Sequence, residues 1–443
     1  MQTSNTFTST LQKTIAVIVL VLVGFAVQAQ QALTLKEAIQ TALKNSYNIQ
    51  LVENTVAIAK NNNYIGVAGG LPTVTSTVNN NKSLSTIEQR FADPTRNTTK
   101  TGVDGNTLTA GLTASVIIFN GYRVMATKDR LATIEKQSEQ QLQAQLANTT
   151  ATVMQQYYNI IRQQAYLKTI EKSIEASKQR LDIVKTRQQI GVANQADLLQ
   201  SNLDLNALIQ GKQNQLLIID QAKADLLNTM VLPSSTPIMI QEDITVDTKI
   251  KLAEVEAKIK ANPLLQSAEQ LININQFIEK ETRALMYPTL RASTGYNVNS
   301  SSSAAGFSLL NESYGPFLGV NLSIPIYAGN TAKRSLKTAQ LNTNSARIQY
   351  KNAEQDLATQ LYKTYQSYQN SIQQIPIETD NYTMSQSLLE LVMQKYQLGQ
   401  ATMVDVKQAQ QSFENAGFRV VSLQFAAKVA EVELKRLSNQ FNF

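Results

Sequence analysis

From Tyr122 to Ile190 the chain contains neither proline nor glycine, 69 consecutive residues without a helix breaker. At 1.5 Å per residue, that run predicts one helix about 100 Å long. Within it Leu146, Val153, Ile160, Leu167, Ile174 and Leu181 recur every seven positions, a coiled-coil period sustained over six repeats. A helix of this length cannot wrap a compact domain and must pack along others of similar length. Its off-seam positions are rich in glutamine (Gln137, Gln140, Gln141, Gln143, Gln145, Gln155, Gln156, Gln163, Gln164). Uncharged polar side chains suit the wall of a hydrated duct and a solvated outer face equally.

The same plan occurs twice. Gln189-Ile190-Gly191-Val192-Ala193, followed by Asp197 and Gln200, matches Gln397-Leu398-Gly399-Gln400-Ala401, followed by Asp405 and Gln408, 208 positions on. At that offset Val116-Ile117-Ile118-Phe119-Asn120-Gly121 also matches Ile324-Pro325-Ile326-Tyr327-Ala328-Gly329. Leu71-Pro72-Thr73-Val74 matches Tyr287-Pro288-Thr289-Leu290 with the offset grown to 216, a difference that loops absorb at little entropic cost. Three collinear matches imply a duplication. Each copy reads as helix, strand, loop, strand, very long helix, glycine turn, helix. In the second copy Leu361, Tyr368, Ile375, Tyr382 and Leu389 keep the heptad frame, and Pro376 is expected to interrupt and kink the helix. Thr34-Leu35-Lys36-Glu37 is a capping-box pattern opening the first helix, and Asn262-Pro263 marks a break or restart in its counterpart.

Four segments alternate with period two. Leu108, Ala110, Leu112, Ala114, Val116 and Ile118 share one face, opposite Thr107, Thr109, Gly111, Thr113 and Ser115. Leu318, Val320, Leu322 and Ile324 repeat the pattern, Leu290, Ala292, Tyr296 and Val298 give a weaker version, and residues 73–80 supply the fourth. The Ser-, Thr-, Asn- and Gly-rich stretches 82–106 and 300–315 read as loops. A small soluble sandwich is the alternative reading. Small aliphatic residues on one face and polar ones on the other fit a barrel with lipid outside and water inside. The aromatic girdle is thin, with Phe119, Tyr296, Tyr314, Phe317, Tyr327 and no Trp.

Composition narrows the function classes. Cys and His are both absent, which removes disulfides, thiolate nucleophiles, His bases and Cys/His metal sites. Charged residues make up 16%, against about 25% in ordinary soluble proteins. The net charge of +7 is spread along the chain without a basic block, so nucleic acid is not an expected partner. Lys13, the apolar run Ile15–Val27 and the small residues around Ala29 read as a secretory signal over residues 1–29. The run is too short for the ~20 residues of a spanning helix. With no other long apolar run, a membrane-embedded form of this chain must be a β-barrel. The expected organisation is thus a signal (1–29), repeat one (30–232), a linker (233–248) and repeat two (249–443).

At this point the chain resembles the TolC-like outer membrane efflux proteins. Phe119-Asn120-Gly121 and Tyr327-Ala328-Gly329 resemble that family's aromatic-x-Gly junctions between strand and helix. Tyr396-Gln397-Leu398-Gly399, followed by Val404-Asp405-Val406, resembles its hairpin-tip motif, and copy one keeps Gly191 and Asp197. The resemblance implies a mainly α chain with a β-barrel portion. It implies a homotrimer in which four strands per chain form a 12-stranded barrel in outer-membrane lipid, above an α-helical periplasmic barrel. It also implies a periplasmic adaptor and an inner-membrane transporter as partners, with no enzymatic activity and no cofactor. Strand count points the same way. The smallest membrane barrels have about eight strands, and eight-stranded interiors are filled by side chains, so a conducting barrel of four-stranded chains needs three or more.

The resemblance also places sites. Tip residues Ile190, Gly191, Val192, Ala193, Leu398, Gly399, Gln400 and Ala401 become the adaptor-docking surface, although a plain αL turn also requires both glycines. Asp405 becomes an entrance carboxylate, although Thr402-Met403-Val404-Asp405 is also a capping-box spacing. Tyr396 and Asp197 become a latch between hairpins, although either also fits a packing or helix-start role. The family's second entrance acid is Gln408 here, and its additional arginine is Ala401. Two rival functions are an adhesive coiled-coil stalk, which does not call for duplicated strand pairs, and a periplasmic enzyme. No P-loop, G-x-S-x-G elbow or His/Cys constellation supports the enzyme.

Overall fold

The computed structural model describes residues 32–304 and 309–441; the expected signal at 1–29 lies outside them. Contacts group the chain into two compact units. One comprises the chain to Gln50, Gln145–Ile259 and the chain from Ala358 on; the other comprises Leu51–Ala144 and Lys260–Leu357.

The helices are α1 (Leu35–Asn45), α2 (Tyr47–Asn62), α3 (Arg123–Gln189), α4 (Gln195–Thr229), α5 (Leu252–Lys258), α6 (Pro263–Ala284), α7 (Thr331–Gln397) and α8 (Met403–Leu437). The 67-residue helices α3 and α7 begin and end 208 positions apart, as do the 35-residue α4 and α8. Local chemistry sets the ends. Thr34 and Glu37 complete the capping box of α1. Asn262 caps α6 with Pro263 in its first turn, where a missing N–H removes no intrahelical bond. α4 ends on Val231 and α8 on Asn439, both with positive φ (57° and 52°). There Leu232 N–H donates to Leu227 O and Gln440 N–H to Lys435 O, the Schellman closure.

Pro376 does not interrupt α7, which runs through it. Proline deletes one N–H, and the neighbouring turns carry the helix across the gap. The heptad seam is largely buried. Val153 and Ile160 are fully enclosed, and Ile174, Leu181, Leu361, Tyr368 and Leu389 are nearly so.

In the first unit Val153, Tyr157, Ile160, Leu226, Leu227, Ala38 and Ala42 form a core with Ile238 and Ile240. Residues 245–250, between that core and α5, are tied to α8. Glu431, buried between Lys428 and Lys435 (3.0 and 2.6 Å), accepts the Asp247 N–H at 3.0 Å, while Tyr368 donates to the Asp247 carbonyl.

In the second unit β1 (Thr73–Gln89), β2 (Thr98–Phe119), β3 (Thr289–Ser303) and β4 (Leu310–Ser323) form one antiparallel sheet in the order β1-β2-β3-β4. The register aligns the expected apolar face: Leu112 opposes Tyr296, Val116 opposes Ala292, and Ala292 opposes Val320. Much of 82–106 and 300–315, read above as loops, is strand. Their apolar residues, such as Leu84, Ile87 and Val103, stand isolated among polar ones and give no sustained alternation, yet ladder hydrogen bonds pair Lys82 with Asn106 and Ser301 with Asn311. Each repeat leaves the sheet by the same tight turn. Gly121-Tyr122 (φ 68°, 64°) and Gly329-Asn330 (φ 61°, 59°) are consecutive left-handed pairs, bridged by Arg123 N–H to Asn120 O and Thr331 N–H to Ala328 O. Positive φ at both central residues defines a type I′ turn.

Candidate functional site: the paired hairpin tips

Both tips are built by one device. At the end of α3, Gly191 (φ 81°) lets Val192 N–H reach Arg187 O at 2.8 Å; at the end of α7, Gly399 (φ 77°) lets Gln400 N–H reach Lys395 O at 2.8 Å. The chain then re-enters helix through a capped start. Asn194 Oδ1 accepts the Asp197 N–H at 2.8 Å. Thr402 Oγ1 accepts the Asp405 N–H at 3.2 Å, and Asp405 Oδ2 accepts the Thr402 N–H at 2.7 Å. Asp197 and Asp405 therefore hold equivalent third positions, but only the second tip closes a full capping box. The Thr402 hydroxyl and N–H hold the exposed Asp405 carboxyl below the usual carboxylate range.

Below the tips Val184, Leu389, Met393, Val406, Ala409 and Phe413 pack with Tyr396 into a second core joining α3, α7 and α8. Tyr382 stacks on Phe413 at 5.3 Å. The turn residues remain outside this core. Ile190, Val192, Leu398 and Val404 are 63–74% exposed, and Gly191, Gly399 and Gln400 are exposed beside half-buried Ala193 and Ala401.

Tyr396, in contrast, is buried. Burial raises its pKa; the nearby Arg187 opposes this and the Asp197 carboxylate adds to it. The two expected latch residues thus lie within electrostatic reach, and the group that contacts the tyrosine is Arg187. Its guanidinium lies 5.4 Å from the ring centroid, and Nη1 donates to the Tyr396 carbonyl at 3.4 Å. Sequence reasoning missed Arg187. The signal was the alanine at position 401, which left the cation to come from the other hairpin. A second overlooked group lies deeper: Arg180, Asp204 and Lys407 bring α3, α4 and α8 to one carboxylate. Among the described residues no group of His, Cys, Asp and Glu is arranged to hold a metal ion, and no helix is long and apolar enough to cross a membrane.

Long duplicated helical hairpins with paired tips, together with a single-layer sheet, are the parts of an outer-membrane channel subunit. A family-wide sequence profile, described as outer membrane efflux protein, matches residues 38–228 and 256–440, and the chain belongs to that family. It is similar to the outer membrane protein TolC of Escherichia coli, 21% identical over 357 residues, covering 77% of this chain and 71% of TolC. It is also similar to the proteases secretion protein PrtF of Dickeya chrysanthemi, 20% identical over 439 residues, covering 96% and 92% of the two chains. The crystal structure of VceC from Vibrio cholerae superposes with a TM-score of 0.75 at 15% identity, covering 93% of this chain and 97% of VceC. At that identity the superposition shows the fold alone. Family and fold together make this chain an outer-membrane exit duct for efflux or secretion.

Proposed function

We propose that three copies of this chain close one 12-stranded barrel in outer-membrane lipid, and that their helical hairpins form the periplasmic duct. One observation carries this reading: among the described residues, much of the apolar face of the sheet is left uncovered. Val78, Leu318 and Val320 are 66–82% exposed, and β1 and β4 are edges. An apolar face of this kind needs lipid, and open edges need neighbouring strands. On this reading residues 1–29 are a cleaved export signal, and the two copies, 30–232 and 249–443, are joined by 233–248.

The tips are then the entrance. Tip residues 190–193 and 398–401 dock the helical hairpin of a periplasmic adaptor, which couples the duct to an inner-membrane transporter. Asp405 lines the opening, and Tyr396 and Asp197, with Arg187 beside them, hold it shut. Native mass measurement of the membrane-extracted protein is expected to give three copies lacking residues 1–29. Val192→Asp with Leu398→Asp is expected to abolish export while leaving that assembly intact. A monomer, or normal export by the double variant, overturns the corresponding part.

A further inference from the structure

Asp204 sits where three helices meet. Arg180 of α3 donates through Nη2 to Oδ2 at 2.9 Å, and Lys407 of α8 donates through Nζ to Oδ1 at 3.1 Å. Gln200, one turn earlier on α4, donates to the same Oδ1 at 2.9 Å. The two cations differ in setting. The Arg180 side chain is 1% exposed, Asp204 14% and Lys407 46%. Among the described residues Nε and Nη1 of Arg180 are buried without hydrogen-bond partners, and besides Asp204 the Ser177 hydroxyl, at 3.4 Å, receives the guanidinium.

Burial makes these bonds unequal. A buried arginine deprived of its carboxylate is an uncompensated charge in a low-dielectric setting, which is strongly unfavourable. The Arg180–Asp204 pair, internal to the first hairpin, therefore persists. Lys407 is half in water, so releasing it restores hydration and costs little. It also approaches a carboxylate whose charge Arg180 already balances, which weakens its hold further. The durable bond lies within one hairpin, and the breakable bond lies between hairpins.

We propose that Asp204 is the pin of the entrance: Arg180 holds the carboxylate in place, and the Lys407–Asp204 bond is the link that breaks when the second hairpin parts from the first. This rests on the reading of the tips as the entrance. Lys407 is two residues beyond Asp405 on α8, so movement of the tip segment of α8 moves it directly. Arg180 accordingly weakens the link that it positions, a property that a purely structural ion pair does not have.

The test is single-channel conductance of the purified trimer, divided by bulk conductivity, at 0.1 M and 1 M salt, where the screening length falls from about 10 Å to about 3 Å. Lys407→Met is expected to raise low-salt conductance about 1.5- to 5-fold, the range set by one exposed pair, and to flatten the rise with salt expected of wild type. Arg180→Met, which roughly keeps the volume and removes the cation competing with Lys407 for Asp204, is expected to shift conductance the opposite way. Should Arg180→Met not assemble, Lys407→Met and its salt dependence decide alone. Unchanged conductance in Lys407→Met, or equal shifts in both variants, overturns the proposal. Tyr396→Phe and Asp405→Asn, recorded alongside, separate the two readings. If they alter the channel while Lys407→Met does not, the pin alone is wrong; if none of them does, the entrance reading also fails.

Discussion

The Arg187 guanidinium lies over the ring of Tyr396, 5.4 Å from its centroid, and donates to the same residue's carbonyl oxygen at 3.4 Å. Side chain and backbone of the second tip are thus gripped by one residue of the first. The arginine is in turn fixed by its own turn, since its carbonyl accepts the N–H groups of Val192 and Ala193.

Arg187→Gln is expected to loosen the junction of the two tips by about 0.5–1 kcal/mol, the worth of an accessible cation–π contact. In channel recordings this appears as a roughly two- to five-fold gain in residual conductance. Arg187→Lys is expected to recover only part of the effect, because an ammonium lacks the planar face that stacks on an aromatic ring. A wild-type recording from Arg187→Gln removes Arg187 from the entrance.

Val231 and Asn439 occupy the same left-handed position in the two repeats, but a β-branched side chain is poorly suited to it. Val231→Asn is expected to raise stability by about 1 kcal/mol, read as a higher unfolding midpoint in detergent. Asn439→Val, the reverse exchange, is expected to lower it. Shifts of the same sign in both would show that backbone strain is not what these positions report.

Gly121 and Gly329 share positive φ, but their surroundings differ. A Cβ at 121 would lie 2.7 Å from Tyr287 Cβ and 3.1 Å from the Ala284 carbonyl oxygen, whereas nothing lies within 4 Å at 329. Gly329→Ala is expected to cost about 1–2 kcal/mol for the left-handed backbone alone. Gly121→Ala is expected to add a further ~1–3 kcal/mol of overpacking. Denaturant midpoints of the two variants measure the difference, and equal losses would show that the Tyr287 contact relaxes freely.

The capping box at Thr402 and Asp405 fixes a pH window. The Thr402 hydroxyl and N–H hold the carboxyl below the usual aspartate range in the folded chain, so its contribution is present above the unfolded value and is lost as pH falls through the folded one. Asp405→Asn is expected to lower the unfolding midpoint equally at pH 7 and pH 5. The gap from wild type then closes in stronger acid, where the wild-type carboxyl is neutral too. A gap that closes already between pH 7 and pH 5 would contradict the capping role.

Much of the fold is legible in local patterns. The absence of breakers between Tyr122 and Ile190, the seven-residue spacing from Leu146 to Leu181, and the glycines at 191 and 399 specify two helical hairpins. These signals lie within one or two turns of the chain and need no distant partner. Strand extent was less legible. Residues 82–89 and 98–106 carry only isolated apolar residues (Leu84, Ile87, Val103) among polar ones, so the pairing partner, not the segment, decides that they are strand.

The sequence by itself determined the duplication, the helix ends, and Asp405 and Asp197 as the third residues of their helices. Each follows from backbone hydrogen bonding over a few residues. Only the tertiary structure decided that Arg187 meets Tyr396, 209 positions away, and that Arg180 and Lys407 share Asp204, 24 and 203 positions away. Such contacts depend on which faces of separate helices turn toward one another. The heptad period marks which residues are apolar enough to be buried, but it does not say which charged side chain will be enclosed with them.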